Sequence, residues 1–144
     1  MPNSAPATAR GDRAAGAALA LAGVLLACAT ACGAFGAHAL RTRLPPDRLQ
    51  LWDTGVRYHF FQALGLLGIG LTLRLPGNGT RREAAAALRT AALLNVAGVL
   101  LFSGSLYALA LGAPRSVGVL TPIGGLAAIA AWLVFGWAVW RTPT

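Results

Sequence analysis

The chain contains no lysine and only four carboxylates, Asp12, Asp47, Asp53 and Glu83, so all twelve of its cations are arginine. Charged residues make up 11% of the 144 positions and hydrophobic ones 56%, with a mean hydropathy of +0.63. A soluble domain carries about a quarter charged residues, so this composition suits lipid as the solvent. No carboxylate falls within an apolar run, which removes the intramembrane acid that proton-coupled transporters keep as a relay. No glycine-rich nucleotide loop, zinc motif or nucleophile elbow is present either. The two cysteines, Cys28 and Cys32, lie one helical turn apart. At that spacing their side chains splay away from disulfide geometry, and two thiols are too few for a closed metal site, so they read as small packing residues. The net charge of +8 does not indicate nucleic acid, because the arginines stand singly or in small groups at the ends of apolar runs, where membrane-flanking charge belongs.

What is present is long and apolar. Ala14 to Leu40, Thr90 to Pro114 and Ser116 to Trp140 are free of charged residues. Each exceeds the roughly 20 residues that cross hydrocarbon. A fourth stretch, Tyr58 to Leu73, is short on its own. It gains an amphipathic lead-in after Pro45 and Pro46, where Leu49, Trp52, Val56 and Phe60 follow helical spacing and Trp52 and Tyr58 serve as interfacial anchors. The expected fold is all-α, an integral membrane four-helix bundle with short loops. It comprises a polar tail over 1–13, one domain over 14–140 with helices at about 14–40, 47–73, 90–111 and 120–140, and a tail over 141–144. Pro76 to Thr80 is a turn signal. A lipoprotein-type cleavage site is approximated at Leu25 to Cys28, but the apolar run continues to Leu40 and is expected to remain as a span. With four crossings, the N-terminus, the Arg74 to Arg89 connection and the C-terminus share a face and carry seven arginines against five opposite, which points both termini to the cytoplasm.

Up-and-down threading gathers His38, Trp52, Arg57, Tyr58, His59, Gln62, Ser103, Ser105, Tyr107 and Thr121 toward one membrane face, with Asn95 toward the other. Polar groups in hydrocarbon are costly and turn inward, so their convergence marks a candidate site. Such residues also serve as hydrogen-bonding glue between helices. Gly33, Gly36, Gly104, Gly124 and Gly125 are expected to allow close helix approach. Two histidines without a partnering carboxylate or thiolate do not specify a metal. Ser103 or Ser105 with His59 is the single conceivable nucleophile and base pair, and the chain is read as non-enzymatic, with no cofactor.

Four ordered blocks carry a resemblance: Gly33-Ala-Phe-Gly-Ala-His38, Trp52-Asp-Thr-Gly-Val-Arg-Tyr58-His-Phe-Phe-Gln-Ala-Leu64, Leu101-Phe-Ser-Gly-Ser-Leu-Tyr107 and Thr121-Pro-Ile-Gly-Gly125. They resemble the bacterial YgdD-like family, domain of unknown function 423, which has relatives among small eukaryotic transmembrane proteins. The resemblance implies four helices in the bacterial inner membrane and implies no activity. Members of that family often carry His at the position of Gln62, an exchange that suits a hydrogen-bonding role better than a metal or haem role. The expected role is therefore structural or interactive, with the bilayer, a second copy or another membrane protein as partner. A small-solute or ion carrier, needing a dimer to enclose a lumen, and a redox, quinone- or metal-binding module are the alternatives.

Overall fold

The computed structural model describes residues 5–75 and 81–141; the Pro76 to Thr80 turn signal lies outside the described residues. Helix α1 (Ala5–Phe35) runs into a π turn (Gly36–Leu40). A tight connection leads to α2 (Pro46–Arg74), which starts as the sequence predicts, with Pro46 in its first turn and Pro45 extended. Helix α3 (Arg81–Gly98), a second π turn (Val99–Ser103) and α4 (Gly104–Ala110) form one continuous rod. Gly112 closes that rod at φ 100°, a left-handed turn that a side chain would resist. A 3-10 turn (Arg115–Val119) then leads to α5 (Leu120–Trp140). The molecule is all-α, with four helical rods and, among the described residues, no strand.

Three segments are long and apolar enough to cross a membrane: Arg13–Leu40, Ala84–Ala110 and Arg115–Trp140. The rod containing α2 is not among them: Asp47, Arg48, Asp53 and Arg57 charge its first half, and Tyr58, His59 and Gln62 lower the hydropathy of the rest. Two rods begin earlier than the charge-free stretches suggest. Helix α1 starts at Ala5, and α3 at Arg81 rather than near Thr90. Arginine near the end of a span can lay its alkyl stem along the helix and hold its guanidinium in the headgroups, so it does not terminate the helix.

Packing follows chain order. Helix α1 lies along α2, α2 along the α3 and α4 rod, and α3 along α5, whereas among the described residues α1 and α5 form no packed interface. Lipid tails are as apolar as leucine, so these seams must be made by close fit rather than by hydrophobic burial. Small residues supply the fit. On α1 the buried Ala15, Ala22, Ala29 and Gly36 recur at intervals of seven, with Ala18 between the first two. Helix α2 buries Trp52, Gly55, His59, Gln62, Leu66 and Ile69 at alternating spacings of three and four. That is the seam of a left-handed coiled pair. Helix α2 thus becomes the core helix of the molecule, and its polar residues lie in the seam.

Candidate functional site

Because His59 and Gln62 occupy inward positions of α2, each must find a partner on a neighbouring rod. Gln62 lies midway along α2, and Asn95 midway along the α3 and α4 rod. Asn95 Nδ2 donates to Gln62 Oε1 at 2.8 Å, with both side chains buried. One turn toward the Arg41 end, His59 Nδ1 and the Tyr107 hydroxyl are 3.2 Å apart. Beyond them the Trp52 indole N–H donates to the Cys32 carbonyl oxygen at 2.9 Å, and its ring lies 4.6 Å from that of Tyr107. On the α5 side the hydroxyls of Ser105 and Thr121 are 2.7 Å apart, and Ser105 also donates to the Phe102 carbonyl. The result is a ladder of side-chain pairs climbing from mid-span to one end.

The second π turn sets the phase of the ladder's far side. Buried positions on α3 fall at Ala84, Leu88, Ala91 and Asn95, and continued α-helical phase would bring Phe102 inward. The π turn adds a residue, so Ser103 points inward and Phe102 moves aside. Helix α5 docks on this turn through Gly124. A Cβ there would overlap the backbone nitrogen of Phe102 and lie 2.7 Å from the carbonyl carbon of Leu101.

Three buried atoms of this region have no partner: His59 Nε2, Asn95 Oδ1 and Ser103 Oγ. Two adjoining hollows open sideways between α2 and α5, of about 450 and about 280 Å³, and share Tyr58, Gln62 and Trp132. The smaller is bordered by Ser103 and Phe102, the larger by Gly68, Leu64 and Phe135. Among the described residues, no group of three His, Cys, Asp or Glu side chains could hold a metal ion.

A model of a protein of unknown function, DUF423, matches residues 32–125. The chain belongs to the DUF423 family. It is 43% identical to the UPF0382 membrane protein YwdK of Bacillus subtilis, over 74% of this chain and 81% of that one. It is 34% identical to a UPF0382 membrane protein of Haemophilus influenzae, over 79% and 86% of the two chains. With the UPF0382 inner membrane protein YgdD of Escherichia coli it shares 33% identity, over 71% of this chain and 72% of that one. No solved structure matches the chain.

The DUF423 segment encloses the whole ladder, from Cys32 to Thr121, and both π turns. Of the residues singled out from the sequence, Trp52, His59, Gln62, Ser103, Ser105, Tyr107 and Thr121 come together. His38 and Arg57 do not: both are exposed, His38 on the last turn of the first rod. Tyr58 is partly exposed and walls both hollows, its ring 4.9 Å from that of Phe102. Asn95, expected toward the opposite face, stands at mid-span as the partner of Gln62. Among the glycines, Gly36 meets the Trp52 ring and Gly124 the α3 backbone, while Gly33 and Gly125 make ordinary contacts. Gly104 has open space where a Cβ would stand. Gly55 against Tyr107 and Gly65 against Trp132 are equally tight. Gly65 and Gly68 read from the sequence as close-approach residues, and the partner rods show that Gly65 meets one, Gly68 meets nothing and Gly55 is a further contact. Trp132 lies beyond the DUF423 match, and nothing in its own segment connects it to the polar residues of α2.

Proposed function

We propose that the protein is a non-catalytic interaction module of the bacterial inner membrane, with both termini cytoplasmic, in which the polar ladder fixes how four helices pack. The observation that carries this reading is the closure of the ladder side chain to side chain: Gln62 with Asn95, His59 with Tyr107, Ser105 with Thr121. A solute pathway would leave such groups facing a lumen along the bundle axis. Here the hollows open sideways instead, between α2 and α5. Interhelical hydrogen bonds in lipid contribute about 0.6 kcal/mol each on average, so their value lies in register as much as in stability. Fixed register gives the outer faces of α1 and α5, which do not pack on each other, a constant shape for a membrane partner or a second copy.

The test replaces one rung by an apolar pair of similar volume, Gln62→Leu with Asn95→Leu, and reads both thermal unfolding in detergent and complementation of a strain lacking the gene. A packing role predicts that stability and complementation change together. Retained stability with lost complementation overturns it and favours a carrier.

A further inference from the structure

Of the ladder's three unpaired buried atoms, only Ser103 Oγ belongs to a side chain that makes no hydrogen bond at all. Its side chain is completely buried, its Oγ has no partner, and it borders the smaller hollow between α2 and α5. An unpaired hydroxyl in an apolar interior is costly, and a serine at a helix seam usually returns its proton to a carbonyl one turn back. Thr30, Thr54, Thr72 and Thr90 all do so, each donating to the carbonyl four residues before it. Ser103 does not. Beside it Gln62 uses its Oε1 to accept from Asn95, which leaves the amide N–H groups of Gln62 for the hollows it borders. Two donors therefore meet a water-poor space whose walls are the rings of Tyr58, Phe102 and Trp132.

We propose that this cleft binds a neutral, carbonyl-bearing ring on an apolar tail, a quinone-class lipid, with a ring oxygen accepting from Ser103 Oγ and the Gln62 amide. The chemistry selects this occupant. Carbonyl oxygens accept without carrying charge, so no buried ion is required, and a flat ring suits aromatic walls. The division of the space fits as well. The ring takes the smaller hollow, and the tail leaves through the larger one, past Gly68, which opens sideways toward lipid. Binding involves no electron transfer. It adds a ligand to the packing reading and stands without it, since it uses the one buried hydroxyl, among the described residues, that packing leaves unpaired.

The experiment uses the full chain in detergent, with decylubiquinone as the tailed probe and 2,3-dimethoxy-5-methylbenzoquinone as the tailless one, read by tryptophan quenching and by thermal shift. Ser103→Ala removes a hydroxyl that no protein atom uses, so the unliganded melting temperature should hold or rise while affinity for both probes falls about tenfold. A Cβ at position 68 meets nothing within 4 Å and the residue borders the larger hollow, so Gly68→Leu directs its side chain into the tail space. It should weaken the tailed probe and leave the tailless one unchanged. Absence of saturable binding by the wild type, undiminished binding to Ser103→Ala, or equal binding of dodecanol, which has the tail without the ring, would each overturn the proposal.

Discussion

At position 62 a polar side chain faces a medium that offers no substitute partner, so its contribution depends on what Asn95 keeps if it is removed. Asn95 already leaves Oδ1 unpaired, and loss of the Gln62 acceptor would orphan Nδ2 as well. Gln62→Leu should therefore destabilise the bundle by about 1 kcal/mol, near the upper part of the range for interhelical hydrogen bonds in lipid. Gln62→His should cost less than half of that, because a ring nitrogen can accept from the same amide. Denaturant unfolding of the two variants side by side checks the order, and equal losses would remove the hydrogen bond from the account. The pairing of His59 and Gln62 on one helical turn was legible, but Trp52, read as an interfacial anchor, is instead buried on the same face of α2 with its indole N–H donated to the Cys32 carbonyl. The partner of Gln62 was not legible. Depth counted from the last charged residue put Asn95 near the start of its rod rather than at mid-span, since the helix continues back through Arg89 to Arg81. His38 stands apart from the cluster, exposed where an interfacial anchor at a helix end belongs, because the first rod ends in a π turn that rotates its last residues away from the phase regular spacing assigns.

The elements themselves were largely readable, because apolar length and the prolines before α2 mark four rods without reference to neighbours. The two π turns were not, since a single extra residue leaves no motif and appears only as a slip between the inward residues before and after it. On the third rod that slip turns Ser103 inward and sets the backbone of the π turn against α5 at Gly124. Gly124 makes the contact backbone to backbone, so neither side can yield by rotating a side chain. Gly124→Ala should lower stability by about 1–3 kcal/mol through overpacking. Gly104→Ala, at the residue that closes the same π turn but with empty space at its Cβ, should leave stability unchanged or raise it by up to about 1 kcal/mol through helix propensity. Thermal melts in one detergent would compare them, and a larger loss at Gly104 than at Gly124 would show that the docking surface has been misplaced.

For the whole molecule the open question is direction, because arginine alone, with no lysine to assist, sets which face is which. Seven arginines on the termini's face against five opposite is a small excess, and Arg10, Arg13, Arg81 and Arg82 provide more than half of the larger group. The segment from Arg41 to Arg57 is the principal opposing cluster, and its Arg48 and Arg57 lie within α2, which among the described residues is the rod not apolar enough to insert on its own terms. That rod depends on the seams it makes with α1 and α3, so the flanking helices should commit the chain before α2 is buried. With the termini cytoplasmic, a green fluorescent protein fused after Thr144 should fluoresce, and alkaline phosphatase there should be inactive. The same phosphatase inserted at Ala113 should be active. Because the margin is two residues, Thr42→Arg with Gln50→Arg, both at exposed positions, would cancel it. Phosphatase activity should then appear at the C-terminal fusion in a substantial fraction of molecules. If the double variant keeps a single orientation, insertion is governed by the apolarity of α1 and α5 rather than by arginine balance, and the cytoplasmic assignment would rest on the fusions alone.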